Sequence, residues 1–201
     1  MIKTRAQQNS LMQKQLPKKL HIGCGTKYLE GWLNIDNLRG TPDKKIDLEK
    51  FPWPLPSDYF EEVYCSHVLE HLSDVQKTMD EIWRCCAQGA IVMIKVPHFS
   101  SMAAPSPFHK HSFNSQAMNY FSRGEEKYGK ANFRILSTRI FWYPDDAEYV
   151  SHSSKRKIAS LVGKFLDFFI NLNRSFFERV WLYYVGGAFE IEWKLKVEKK
   201  R

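Results

Sequence analysis

Cysteine is scarce in this sequence, and the four present, Cys24, Cys65, Cys85 and Cys86, form no C-x-x-C pair, which excludes a disulfide-stapled miniprotein. No block of five like charges and no internal repeat occurs, so neither a charged tail nor a repeat array is expected. The sequence also lacks an uninterrupted membrane span: its most apolar region, residues 165–189, is broken by Asp167, Arg174, Glu178 and Arg179. The basic start MIKTRAQQNSLMQKQL is followed by no apolar stretch, so no secretion signal is read and the cytoplasm is the expected compartment.

What remains is the composition of a globular protein, with 201 residues of which 43% are hydrophobic and 14% aromatic. The net charge of +8 is unevenly placed: residues 1–100 carry 13 basic and 12 acidic side chains, residues 101–201 carry 17 and 10. A basic C-terminal half favours anionic partners such as nucleic acid, lipid headgroups or phosphorylated substrates, although a merely solvated basic face is the commoner explanation.

Residues 1–16 read as a flexible tail and residues 17–201 as a single domain. Short apolar runs at residues 20–22, 33–35, 61–66 and 90–96 predict strands. Between the last two, Val75, Met79, Ile82 and Cys86 recur at helical spacing, which predicts a helix over residues 74–88 with Ser73 or Asp74 as its cap and Gly89 as its stop. Strand, helix, strand is the grammar of a parallel α/β sheet. Only ten residues, 23–32, join the first two strands, so the first helix must be very short. Residues 97–114 read as a loop, 115–121 as a short helix, and 133–143 and 189–198 as strands.

Between those last strands lies an inserted, aromatic-rich helix at residues 155–185. Its polar positions Lys157, Ser160, Lys164, Asp167, Asn171, Arg174 and Glu178 alternate in spacing between three and four, with Arg174 and Glu178 as a salt pair. The rest of its surface is broadly apolar. Packing of that face on the sheet is the simpler expectation, and a helix lying on a membrane or a partner chain is the alternative. The fold expected is therefore α/β: a Rossmann-like, seven-stranded, mainly parallel sheet with helices on both faces, a C-terminal antiparallel strand pair and this inserted amphipathic helix.

The sharpest local signal is KKLHIGCGTKYLEGWLNID, residues 18–36. A strand ends in Gly23-Cys24-Gly25, where missing side chains let a ligand approach the backbone, and Asp36 ends the next strand. The third glycine of a dinucleotide fingerprint would fall at Tyr28, so a ligand without a pyrophosphate suits this loop better.

With DLEKFPWPLPSDYFEEVYCSHVLEHL and EIWRCCAQGAIVMIKVP following in order, residues 18–100 resemble the class I S-adenosylmethionine-dependent methyltransferases. They look most like the short-first-helix type associated with cell-surface polysaccharide biosynthesis, which shares the GW-x-N-x-D ending. The resemblance implies that Gly23, Cys24 and Gly25 line the methionine part of S-adenosylmethionine, that Asp36 accepts from its ribose hydroxyls, and that Asp47 and Leu48 sit at its adenine. It places Ser66 and His67 beside the reactive methyl. His21 and Lys27 depart from the family pattern.

His67-Val68-Leu69-Glu70-His71 also matches the inverted zinc-peptidase signature H-x-x-E-H, but that motif needs an active-site helix and here the run leaves a strand. Methyltransferases acting on vicinal hydroxyls resemble this chain in an E-x-x-E-H run, which here falls on His67, Glu70 and His71, with His98 after the fifth strand. That likeness implies a divalent metal; a metal-free turn into the next helix is the simpler reading, and no metal ligand is assigned. Five of the seven histidines, His67, His71, His98, His109 and His111, fall between the fourth strand and Phe113, and the sheet would gather them in one cleft. His67 and His98 are the expected proton acceptors, with His71 and Glu70 orienting them.

The function expected is methyl transfer to a hydroxyl of a small sugar or glycolipid-like acceptor. A non-catalytic cofactor-binding scaffold and a nucleic-acid methyltransferase are the alternatives, a nucleic-acid partner being the less expected.

Overall fold

The computed structural model describes residues 16–122, 129–143, 154–184 and 186–199, and of residues 154–160 only the backbone. The expected tail falls outside them apart from Leu16, whose carbonyl accepts from Tyr59 Oη. Seven strands form one sheet: β1 (Lys19–Ile22), β2 (Leu33–Asp36), β3 (Lys44–Lys45), β4 (Phe60–Ser66), β5 (Cys86–Pro97), β6 (Phe133–Phe141) and β7 (Glu190–Val197). Their order is β3-β2-β1-β4-β5-β7-β6. The first five pair in parallel, and β7 runs antiparallel to both β5 and β6. This is the Rossmann-like, mainly parallel sheet that the strand pattern predicts.

Alternation along each strand decides which face becomes core. Leu20, Ile22, Val63, Cys65, Val92, Ile94, Trp193 and Leu195 point to one face and are buried in a core to which helix α1 (Val75–Cys85) contributes Met79 and Ile82 and the loop after β5 contributes Phe113. Asp74 is the cap of α1, its Oδ1 accepting from Lys77 N at 2.9 Å. The helix is shorter than expected. It ends at Cys85 because β5 reaches back to Cys86, which pairs with Phe60; Gly89, at φ +79°, is a residue inside the strand and not the helix stop.

The opposite face is barer than expected. Among the described residues no helix joins β1 to β2; residues 23–32 cross as a loop. Trp32, Tyr64, Ile91 and Met93 consequently line a groove of about 420 Å³. Of the short helix expected at residues 115–121, a 3-10 turn forms, Ala117–Phe121.

The inserted helix departs most from expectation. It is two pieces: α2 (Ser154–Leu172) ends at Asn173, whose side chain caps the next turn by accepting from Phe176 N at 3.0 Å, and short helical turns follow over residues 174–184. Asp167 and Asn171 face the protein, whereas most of the helix's aromatic side chains do not. β6 is an edge strand with unpaired backbone groups to satisfy. Ile140 N donates to Asn171 Oδ1 (2.9 Å), Asn171 Nδ2 donates to Ile140 O (2.8 Å), and Trp142 N donates to Asp167 Oδ1 (2.7 Å). Ile170 and Phe177 are buried, while Phe165, Phe168, Phe169 and Leu172 lie exposed. The expectation that the apolar face packs on the sheet is met only in part: Leu166, Ile170, Phe177 and Leu182 pack around Ile140, while amide and carboxylate side chains seal the rest of the strand edge and leave the phenylalanines outside. Lys157 and Ser160 of the polar stripe lie outside the described side chains.

Candidate active site

The strand order reverses between β1 and β4, the switch point at which open α/β sheets bind ligands beyond the strands' carboxyl ends. Gly23 follows β1 at φ +63°, where a Cβ would lie 2.3 Å from Val68 Cγ2, so both conformation and space demand glycine. Gly25, at φ +52°, has nothing within 4 Å of where a Cβ would stand, and the space above the turn is open. Its N–H donates to Asp36 Oδ2 (2.8 Å), and Leu38 N and Arg39 N donate to Asp36 Oδ1 (2.6 and 3.2 Å). Burial alone would raise the Asp36 carboxyl, but these backbone donors outweigh it and hold the group below its ordinary value. Oδ2 keeps a lone-pair site for an outside donor.

Cys24 is buried, its N–H bonded to Ile35 O at 3.1 Å, and burial pushes its thiol up, which suits lining and not nucleophilic chemistry. Asp47 Oδ1 accepts from Glu49 N (3.1 Å), and its Oδ2 pairs with Lys50 (3.3 Å). Leu48 is buried beside it, and Ser66 closes β4 half-buried.

His67 leaves β4 at φ +55°, a left-handed conformation uncommon for a side-chain-bearing residue, with its N–H on Lys95 O at 2.9 Å. Its Nε2 lies 3.2 Å from Glu190 Oε2 and its Nδ1 3.4 Å from Glu70 Oε1. Burial alone would lower the imidazole's pKa, but Glu190 and Glu70 together raise it to about 9. Lys95 approaches the other Glu190 oxygen at 3.3 Å. Sequence reasoning missed Glu190 and Lys95. The clean alternation of β7 was a usable signal, because antiparallel pairing puts the start of β7 beside the carboxyl end of β5, with Pro97 opposite Glu190.

His98 belongs to a second cluster. It has no exposed surface; Nδ1 is 2.6 Å from Ser100 Oγ and Nε2 is 3.2 Å from Glu178 Oε1. Ser115 N and Ser115 Oγ donate to the two oxygens of Glu178, each at 2.7 Å. Glu178, read from sequence as a partner for Arg174, thus crosses to the loop after β5.

That loop folds back on the residues after β4: Lys110 N and His111 N both donate to Glu70 O (2.7 and 3.3 Å), and the ring of His109 meets that of His71 edge-on at 4.7 Å. His111 Nε2 is 3.4 Å from Ser73 O, away from the others. Glu70 is 1% exposed, and neither of its carboxylate oxygens accepts a hydrogen bond, the His67 contact being ionic without hydrogen-bond geometry. Among the described residues, these two oxygens and His109 Nδ1 are the only buried side-chain nitrogen or oxygen atoms with no hydrogen-bond partner. One ligand atom from each of Glu70, His71 and His109 lies within 4.8 Å of the others. Leu69–His71 is a single 3-10 turn, so the peptidase arrangement is absent from the run. The fourfold set of His67, Glu70, His71 and His98 does not assemble either, since His98 is engaged with Glu178 and His109 stands beside His71.

A family model described as "methyltransferase domain" matches residues 7–162. The fold is similar to an S-adenosylmethionine-dependent methyltransferase from Archaeoglobus fulgidus, at 16% identity and TM-score 0.56, covering 96% of this chain and 91% of that one. It is also similar to one from Mesorhizobium loti, at 14% identity and TM-score 0.53 over 93% and 96% of the two chains. The cyclase SpnF is similar too, at 12% identity and TM-score 0.51 over 90% and 75%. Among curated proteins none matches the sequence. At these identities the structural likenesses establish the fold, and the presence of a cyclase illustrates that one fold hosts several reactions.

Proposed function

The chain belongs to the methyltransferase-domain family, and from that premise we propose that it transfers the methyl group of S-adenosylmethionine to a hydroxyl of a sugar or lipid-linked acceptor. The observation that carries this reading is the open glycine turn tied to Asp36 at the β1/β4 switch point, with paired histidines and carboxylates immediately beyond β4 and β5. The turn lets the methionine part approach the backbone, Asp36 Oδ2 accepts from a ribose hydroxyl, and Asp47 and Leu48 form the adenine end.

S-adenosylmethionine, when bound, supplies an electrophilic methyl group, so the protein has to align the acceptor, exclude water and take up one proton. The acceptor oxygen forms its bond to carbon as the sulfur–carbon bond breaks. The hydroxyl proton passes to His67 in its neutral form, which is the minor form near neutral pH because its carboxylate neighbours raise the imidazole to about 9; Glu190 orients the ring and Lys95 holds Glu190 in place. His98, enclosed with both ring nitrogens engaged, positions the loop after β5.

The test is incubation with methyl-labelled cofactor and pooled carbohydrate and lipid acceptors. Alkali-stable label, as expected of an ether, should appear with the wild-type protein. His67→Asn, chosen because asparagine tolerates the left-handed backbone, should lower that turnover by roughly 10²-fold. Label confined to nucleic acid, or full activity of His67→Asn, would overturn this assignment.

The three buried atoms without hydrogen-bond partners favour one addition. We propose that Glu70, His71 and His109 hold a divalent cation: a carboxylate and two imidazoles suit a first-row ion, which would make a nearby hydroxyl more acidic. Manganese at about 100 times its dissociation constant should stabilise the fold by about 2.7 kcal/mol, or roughly 5–10 °C in Tm. Glu70→Gln and His109→Ala should each abolish the shift. Without metal, Glu70→Gln should change stability by less than the metal shift, because it removes a buried carboxylate that accepts no hydrogen bond but also loses that carboxylate's ionic contact with His67. A metal shift of the same size in both variants would exclude the site.

A further inference from the structure

The described part of α2 and the turns after it present an aromatic surface to solvent while their acidic groups turn inward. Leu161, Phe165, Phe168, Phe169 and Leu172 are each more than half exposed on one side of α2, and Phe176 continues the patch. Trp181, Tyr183 and Tyr184 follow at its far end, with Tyr183 74% and Tyr184 84% exposed. A contiguous apolar patch on this scale marks a contact surface. The matched methyltransferase domain ends at residue 162, so nearly all of the patch lies beyond it.

Charge identifies what covers the patch. Residues 154–184 contain six basic residues, Lys155, Arg156, Lys157, Lys164, Arg174 and Arg179, and only two acids, Asp167 and Glu178. Both acids face the protein, Asp167 on the β6 edge and Glu178 on Ser115 and His98. Lys164 lies one helical turn from both Leu161 and Phe168, at the border of the apolar side. Residues 161–184 therefore carry three basic residues, Lys164, Arg174 and Arg179, beside the apolar side chains, while both of their acids turn inward. A two-fold contact between copies would set the same cationic border against itself. Tryptophan and tyrosine at the end of an apolar, cation-flanked helix match the chemistry of a bilayer's headgroup layer. No described helix is long and apolar enough to cross a membrane, which leaves a helix lying in the interface plane.

We propose that residues 161–184 dock the protein on an anionic lipid surface, with the phenylalanines among the acyl chains and the basic residues at the headgroups. Because Glu178 ties this segment to the loop after β5, docking brings that loop and the histidine clusters next to the bilayer, where a lipid-linked acceptor would be presented. The docking itself does not depend on the acceptor assignment.

The experiment is co-sedimentation of the full chain with phosphatidylcholine vesicles, with and without phosphatidylglycerol. Binding should be at least about tenfold tighter to the anionic vesicles and should weaken as salt is raised. The double variants Phe165→Ser/Phe168→Ser and Phe169→Ser/Leu172→Ser should each lose binding by about tenfold or more. Since those side chains are exposed, the Tm and the response to S-adenosylhomocysteine should stay as in the wild type. Absence of binding to either vesicle, binding unchanged in both variants, or a concentration-dependent dimer by light scattering that the variants dissolve, would each overturn the proposal.

Discussion

Glu178→Ala is expected to destabilise the domain by about 3 kcal/mol or more, since the buried polar groups that the carboxylate satisfies would each lose a partner at about 1–3 kcal/mol. The carboxylate is one-tenth exposed and accepts from Ser115 N and Ser115 Oγ while facing His98 Nε2 at 3.2 Å. Alanine would strand three polar groups in a site that also anchors the segment after α2, whose Phe177 is buried. Glu178→Gln keeps the shape and one acceptor oxygen and should cost less. Denaturant unfolding measures both, and a loss below about 1 kcal/mol for alanine would mean that water replaces the carboxylate. The same pair makes a pH signature. Burial alone would raise the Glu178 carboxyl, but the hydrogen bonds from His98 and Ser115 outweigh it and hold the group below its ordinary value. Its contribution should thus be complete above the ordinary glutamate range and fade as the pH falls through the lowered value, and Glu178→Gln should flatten that acid limb.

The parts of the fold that were legible in the sequence are those that local patterning decides. β4 and β5 announced themselves through β-branched runs, Asp74 through its place before α1, and Gly23 through a turn that excludes side chains. The end of α1 was not legible. Cys86 continues the helical period, and only its pairing with Phe60 shows that the sheet claims it. Periodicity likewise identified two faces on the inserted helix but not which one turns inward; that is decided by the open edge of β6, a tertiary fact invisible in a window of residues 155–185. Of the candidate site, the histidines were legible because they crowd into one stretch of chain. Glu178, Glu190 and Lys95 were not, because each reaches its partner across long sequence distances that the antiparallel β5–β7 pairing and the loop after β5 bring together.

The glycine turn and Asp36 form the point on which the functional account depends. Asp36 organises the turn through Gly25 and the following loop through Leu38 and Arg39, and it has acceptor capacity left over. A charge-assisted hydrogen bond from a ribose hydroxyl to the remaining lone-pair site would contribute about 1.5–3 kcal/mol, and alanine would also release the turn that shapes the site, so this substitution should weaken nucleoside binding by roughly 10²-fold. Asp36→Asn, which retains one acceptor oxygen, should fall between alanine and the wild type. Because alanine also releases three backbone donors, the ligand-free protein should lose some stability, and the informative quantity is affinity.

Calorimetric titration of the 201-residue chain with S-adenosylhomocysteine, in parallel with NAD and ATP, reads the glycine turn and Asp36 as a nucleoside site. Saturable one-to-one binding of S-adenosylhomocysteine is expected, with no comparable heat from NAD or ATP and a loss of about 10²-fold in Asp36→Ala. No binding of S-adenosylhomocysteine at millimolar concentration, or saturable binding of NAD or ATP in its place, would contradict the cofactor assignment.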